Sequence, residues 1–284
     1  MEPPRSLGLV AGDGMLPREI ASEARRQKWR VVAMALEGFC DASLSQWVDE
    51  IHWIRLGQVE QLLGLFASQG IDHAVFAGGV GHRSLHESDP RLSLDARALA
   101  LLATLKDLGD DAVQGALARE FEKHGIVVCG QADFVPQLVA RPGLLGATAL
   151  SNEQRDDCSF GFQAVRRLGE LGIGQCAIVR RQRILAVEAI EGTDAAIRRV
   201  GACGVRGAVV VKAARPQQDR RFDWPTVGRG TLRAMEEVGA SVLAVEAGHT
   251  LVLDSAEVIR RCDAAGIAFV GWSEEALPEK ADGC

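Results

Sequence analysis

Ser6-Leu7-Gly8-Leu9-Val10-Ala11-Gly12-Asp13-Gly14-Met15-Leu16-Pro17 decides how the first half of the chain folds. An apolar run of strand length opens onto Gly12-Asp13-Gly14. Apolar residues then recur at helical spacing as far as Gln27, and Pro17 is tolerated in a first helical turn. A strand that turns through glycines into a helix begins a βαβ unit. The pattern continues outward. Residues Arg30–Leu36 and 51–56 read as strands, and 59–68 as a helix. His73–Ala77 is an apolar strand ending in Gly78-Gly79, with helices at 92–105 and Asp110–Lys123 and a last strand at 126–130. Strands alternating with helices predict a parallel, Rossmann-like sheet.

Residues 135–157 are less periodic, with Pro136, Pro142, Gly143 and Gly146 leading into a polar patch from Ser151 to Asp157. We read this stretch as a linker. It separates a Rossmann-like N-terminal domain (1–134) from a second α/β domain (158–284), which is expected to be the catalytic one. In the second domain a helix spans 160–171. Strands at 176–179 and 184–190 flank the charged turn Arg180-Arg181-Gln182-Arg183. A short helix at 193–200 and a buried strand at 208–213 follow, then a helix at 226–238. Strands at 241–247, 251–253 and 267–271 close the pattern, with a helix at 256–265.

The chain has 284 residues, 47% of them hydrophobic, enough to build two packed cores. The net charge of −6 argues against a nucleic-acid partner, which would be met by a basic patch. The seven cysteines are odd in number and form no C-x-x-C pair, as expected in a reducing compartment; Cys129 and Cys176 lie in apolar runs and read as core residues. Residues 7–11 are too short for a signal core, and no apolar run approaches membrane-spanning length. The expectation is a soluble cytoplasmic protein, with peripheral contact to a membrane surface left open.

Several segments carry chemistry-bearing residues. The turn Gly12-Asp13-Gly14 can bring backbone N–H groups to a phosphate or ribose, although Pro17 stands where a dinucleotide fingerprint needs Gly or Ala. Glu37 follows the second strand and suits a ribose hydroxyl. Gly78-Gly79-Val80-Gly81-His82-Arg83 follows a strand end, where open α/β sheets bind ligands; His82 and His86 are four apart but lie in a glycine-rich loop. Gly109-Asp110-Asp111 reads first as a helix start. Glu188, Glu191 and Asp194 gather at the end of an apolar strand, and alternation puts Glu188 on the face of Ala186 and Ile190. Lys212 ends a buried strand and runs into Arg215-Pro216-Gln217-Gln218-Asp219-Arg220-Arg221-Phe222-Asp223-Trp224-Pro225-Thr226. Carboxylates that can hold a divalent cation stand beside cations that can cover phosphate oxygens, the combination that hydrolysis of a phosphoric anhydride needs. Glu246 ends another strand before Ala247-Gly248.

In this order, these segments resemble the LpxI-type UDP-2,3-diacylglucosamine pyrophosphatases of lipid A biosynthesis. The matching pieces are residues 11–17, 76–80, 109–111, Gly174-Gln175, 185–194, 212–228 and 245–248. The most specific is Glu191-Gly192-Thr193-Asp194 followed by Gln218-Asp219-Arg220-Arg221-Phe222-Asp223-Trp224-Pro225. The resemblance implies a two-domain enzyme with its active site between the domains. It implies Mg²⁺-dependent attack of water, with Mn²⁺ as a substitute, giving UMP and 2,3-diacylglucosamine 1-phosphate. The family's essential aspartate falls on Asp223. Asp219 and Lys212 are expected to assist it, and Glu188, Glu191, Asp194 and Glu246 to help hold the metal. Gly12, Asp13, Gly14, Gly79, Thr193, Gln218 and Thr226 are expected to contact the substrate. The resemblance is compatible with a homo-oligomer and with a place at the inner face of the inner membrane. The chain departs from the usual pattern at Ser84, Arg215 and Trp224.

Two other functions fit parts of the sequence. A nucleotide-dependent oxidoreductase would use the Gly12 turn but leaves the Asp223 segment without a purpose. A non-catalytic UDP-sugar or lipid binder would use the same contacts without turnover.

Overall fold

The computed structural model describes residues 5–80, 89–106 and 109–273. The chain divides into two compact units. One comprises Met1–Pro136 together with Asp219–Asp223, the other Gln137–Gln218 together with Trp224–Cys284.

The N-terminal unit runs β1 (Ser6–Ala11), α1 (Leu16–Arg26), β2 (Arg30–Leu36), β3 (Glu50–Ile54), α2 (Val59–Gln69), β4 (His73–Ala77), α3 (Ala96–Leu102), α4 (Asp110–Lys123), β5 (Val127–Val128) and α5 (Gln131–Phe134). Its strands form one parallel sheet in the order β3-β2-β1-β4-β5, the Rossmann-like arrangement expected from the sequence. Both faces are covered, so β1 and β2 are apolar almost throughout. On one face Phe66 and Phe121 pack edge to face with centroids 5.2 Å apart. Phe222, from the Asp219–Asp223 segment, joins the same core.

The helix expected over 92–105 is shorter. Ser93 N–H donates to Leu56 O (2.7 Å), and Leu92 bridges Leu56 as a strand residue would. Asp95 then caps α3, its carboxylate accepting from Ala98 N–H at 2.8 Å and, with the other oxygen, from Glu60 N–H at 2.7 Å. The short helix α5 was missed within the strand-and-loop reading of this region.

The C-terminal unit runs β6 (Gly143–Leu144), α6 (Asn152–Glu170), β7 (Cys176–Arg180), β8 (Arg183–Val187), α7 (Thr193–Ala202), β9 (Val209–Lys212), β10 (Thr226–Val227), α8 (Arg229–Val238), β11 (Val242–Glu246), β12 (Leu251–Val252), α9 (Ser255–Ala264) and β13 (Ala268–Trp272). Its main sheet has the order β6-β13-β11-β9-β7-β8. The central strands β13, β11 and β9 are parallel, while β6, β7 and β8 pair antiparallel. Alternate residues divide between two cores. Val210, Leu243 and Phe269 pack with residues of α7, α8 and α9, whereas Val211, Ala244 and Val270 pack with Phe162 of α6. The second α/β domain is therefore a mixed sheet covered on both sides.

Three elements differ from the sequence reading. Residues 135–157 hold a 3-10 turn at Pro136–Leu138, β6 and the start of α6, which begins at Asn152 and not near Phe160. The polar patch is its first turns, closed by a reciprocal cap: Gln154 N–H donates to Ser151 Oγ (3.2 Å), and Ser151 N–H to Gln154 Oε1 (2.8 Å). Strand β8 stops at Val187, so Glu188 and Ile190 lie beyond it and the strand alternation expected to put them on one face with Ala186 does not reach them; Ile190 is 53% exposed. The segment 226–238 is not one helix. Thr226 and Val227 pair with Leu251 and Val252 in a two-stranded parallel ribbon before α8 starts at Arg229. Of the two cysteines expected in the core, Cys176 is buried and Cys129 only partly so.

Candidate active site

In the N-terminal unit, the two glycine turns expected to meet a ligand are braced against each other. Gly12 N–H donates to Ala77 O (2.8 Å), Asp13 N–H to Gly79 O (2.8 Å) and Gly79 N–H to Asp13 O (3.0 Å). The chains come so close that a Cβ on Gly12 would lie 2.5 Å from Gly79 O. On Gly78, whose φ is +85°, it would lie 2.5 Å from Asp13 O. The glycines thus serve the crossing of β1 and β4 ends, and the N–H groups of Gly12, Asp13 and Gly79 are taken up by it. Gly14 has a φ of +96°, and its N–H donates to Asp13 Oδ1 at 2.7 Å. Beside the crossing lies a cavity of about 200 Å³ at the C-terminal ends of the strands, lined by Val10, Gly12, Leu36, Phe76, Gln114 and Phe222 among others. Gln114 Oε1 is buried there without a hydrogen-bond partner among the described residues.

The Asp219–Asp223 segment belongs to this same unit. It is a single tight turn: Phe222 N–H and Asp223 N–H both donate to Asp219 O, at 3.0 and 3.2 Å. Asp219 organises it. Its carboxylate accepts from Arg221 N–H (3.0 Å) and from the Arg221 guanidinium through both oxygens, the shortest contact being 2.8 Å. The Arg221 hydrogen bonds hold the Asp219 carboxyl below the usual carboxylate range. Arg221 also pairs with Glu122 of α4 at 2.8 Å. Phe222 lies 4.7 Å from Phe76, centroid to centroid. Gln131, the first residue of α5 and only 3% exposed, donates its amide to Phe222 O (2.8 Å) and to Phe76 O (2.9 Å).

In the C-terminal unit, β7, β8 and β9 bring a second polar group together. Lys212 is 6% exposed, and its ammonium donates to Thr193 Oγ1 (2.8 Å) and Thr226 O (3.0 Å). Thr193, at the start of α7, donates a hydrogen bond from its hydroxyl to Glu188 Oε1 at 2.8 Å. Glu188 N–H continues the ladder to Cys176 O (2.9 Å). Gly174 has no room for a side chain, because a Cβ would lie 2.2 Å from Glu188 O. Burial foremost, then the charge of Glu188, pushes the Cys176 thiol up; Asp194 adds to this and Lys212 opposes it. Glu188 Oε2 is buried with no hydrogen-bond partner among the described residues.

The other expected residues are more dispersed. Glu191 pairs with Arg199 at 2.9 Å. Glu246 accepts from Ala214 N–H at 2.9 Å, with His249 3.6 Å away. Gln218 is buried and its Oε1 accepts from Arg215 N–H (3.0 Å), while Thr226 Oγ1 donates to Trp224 O (3.0 Å). Glu37 pairs with Arg55 at 3.3 Å on the surface. Gly81, His82, Arg83, Ser84 and His86 lie outside the described residues, as does the side chain of Asp110. Among the described residues, no group of three or more His, Cys, Asp or Glu side chains is assembled as a metal cage. Gln131 was not foreseen, since an amide between Gly130 and Ala132 carries no signal of its own.

The chain matches two family domains, the one described as the LpxI N-terminal domain over residues 6–138 and the LpxI C-terminal domain over residues 141–270. A curated relative from Caulobacter vibrioides, named UDP-2,3-diacylglucosamine pyrophosphatase LpxI, is 33% identical over 96% of this chain and 100% of its own length. Among solved structures, the biotin carboxylase domain of the Hydrogenobacter thermophilus 2-oxoglutarate carboxylase aligns at 13% identity, covering 84% of this chain and 41% of that one, with a TM-score of 0.30. Rhizobium etli pyruvate carboxylase aligns at 16% identity over 48% of this chain and 12% of that one, TM-score 0.29. This chain spans less than half of either.

Proposed function

The chain belongs to the LpxI family, and on that footing we propose that it is a hydrolase that splits the pyrophosphate of UDP-2,3-diacylglucosamine into UMP and 2,3-diacylglucosamine 1-phosphate in lipid A biosynthesis. The observation that carries the reading is the match of both family domains along the chain, together with a relative of that name aligned over its whole length.

The reaction needs neutralised phosphate oxygens and an oriented water. Asp223 is the group we assign to the water and the metal. Its backbone is held by the Asp219 turn and by Gln131, so the carboxylate starts from a fixed main chain. Asp219, engaged with Arg221, supports that turn. Among the described residues Lys212 uses two of its three N–H donors, on Thr193 and Thr226, and the third is the one we assign to a phosphate oxygen. Glu188 keeps the Thr193–Lys212 pair oriented. The donor set suits a hard divalent cation: the acidic groups are carboxylates, and Glu188 Oε2 is buried with no hydrogen-bond partner among the described residues. Asp223 in the N-terminal unit is the carboxylate we assign to Mg²⁺, and Glu188 is the candidate within the C-terminal unit; substrate phosphates would complete the shell, as is usual for that ion. When bound, Mg²⁺ neutralises charge on the pyrophosphate and lowers the pKa of water. No helix among the described residues is long and apolar enough to cross a membrane. We propose a cytoplasmic enzyme that meets its doubly acylated substrate by peripheral contact at the inner membrane.

The test is direct. Purified protein incubated with UDP-2,3-diacylglucosamine and Mg²⁺ should release UMP, EDTA should stop the release, and Mg²⁺ or Mn²⁺ should restore it. Substrate bound tightly but unchanged with every divalent ion would favour the non-catalytic binder instead.

A further inference from the structure

We propose that Gln131 is a positioning residue for Asp223. The inference rests on the reading that Asp223 performs the chemistry. The carbonyl of Phe222 belongs to the same peptide group as the N–H of Asp223. Gln131 Nε2 donates to that carbonyl at 2.8 Å, and the N–H on the other side of the peptide donates to Asp219 O at 3.2 Å. The plane that carries the Asp223 Cα is therefore gripped from both sides. The second Gln131 donor goes to Phe76 O, at the end of β4, one residue before Ala77 and the glycine crossing. One buried amide thus ties the aspartate's backbone to the sheet.

The environment of Gln131 argues for a role beyond filling space. The side chain is 3% exposed, and its carbonyl oxygen, Oε1, is buried with no hydrogen-bond partner among the described residues. A buried amide satisfied on one side only is costly, and an apolar residue of equal volume would pack there at lower cost. What the amide adds is two donors aimed at two carbonyls. Local rules are broken in this way where function requires it. The neighbouring contacts agree: the Phe222 ring in the core and the Arg221–Glu122 pair dock the same segment through side chains, whereas Gln131 bonds the Asp223 peptide group itself.

Two variants test the proposal. Gln131→Met keeps the volume and removes both donors. Its turnover of the UDP-sugar should fall roughly tenfold to a hundredfold with KM within about twofold, the scale of a small misplacement of a reacting group. Hydrogen exchange should quicken in the peptide covering 219–223 and stay unchanged in β1 and β2. Gln131→Glu places a carboxyl against two carbonyls, where only its protonated form can donate. The ratio of variant to wild-type kcat should therefore rise as the pH falls from about 8 to about 6. Turnover of the folded Met variant within about twofold of wild type would overturn the proposal. A pH-independent ratio for the Glu variant would overturn it too, and that arm stands if the Met variant fails to fold. If the wild type releases no UMP, the functional reading fails, and the exchange arm still decides whether Gln131 holds the segment.

Discussion

Asp223 and Asp219 stand four residues apart and do different work. Asp219 spends its carboxylate on Arg221 within the turn, whereas Asp223 ends the turn with a fixed backbone. Asp223→Ala should lower UMP release by roughly a hundredfold or more, because an electrostatic group needed in the transition state is lost. The melting temperature and UDP-sugar affinity should be nearly unchanged. Near-normal release by the folded variant would remove Asp223 from the mechanism. Asp219 predicts a pH dependence of stability. Its folded pKa is lowered, first by the Arg221 hydrogen bonds, so its contribution is full above an ordinary carboxylate pKa of about 4 and is lost as pH falls through the lowered value. The difference in Tm between wild type and Asp219→Asn should be constant from neutral pH down to about 5 and should shrink in stronger acid. A difference that grows on acidification would contradict the assignment.

Among the elements, the reciprocal cap at the start of α6 gives a measurable handle. Ser151→Ala removes the acceptor for Gln154 N–H and should cost about 1 kcal/mol, lowering Tm by about 3 °C. An unchanged Tm would mean that the first turns are already frayed. This helix start also marks where sequence reading stops short. The pattern Ser151-x-x-Gln154 was present in the chain, but the polar residues after it read as a linker. The strands Arg30–Leu36 and His73–Ala77 and the helix Asp110–Lys123 were legible to the residue, because period and punctuation agree within each. The ribbon of Thr226–Val227 with Leu251–Val252 was not, since the pairing partner lies more than twenty residues away and Thr226 looks like the start of the following helix. The Lys212, Thr193 and Glu188 group was legible as residue types, not as a chain of hydrogen bonds. The capture of Phe222 by the N-terminal core was invisible, because an isolated phenylalanine in a charged segment carries no sign of where it will be buried.

For the whole molecule, the N-terminal unit is discontinuous: Met1–Pro136 is completed by Asp219–Asp223. No single cut separates the two units cleanly. A fragment ending at Pro136 lacks Phe222 and should uncover Phe76 and Phe121, so it should bind a hydrophobic dye more strongly and melt lower than the intact chain does. Neither it nor the remaining fragment should release UMP alone, and a C-terminal fragment with the full rate would refute this. The same discontinuity bears on how the chain is made. The first core is translated up to residue 136, but its last piece begins at residue 219, which is 219 − 136 = 83 residues later. At synthesis rates of about 5–20 residues per second, the nascent sheet waits roughly 4–17 s for its own phenylalanine. Through that interval a patch around Phe76 stays uncovered on the growing chain. It is the surface that a chaperone working on growing chains would be expected to shield until Phe222 arrives.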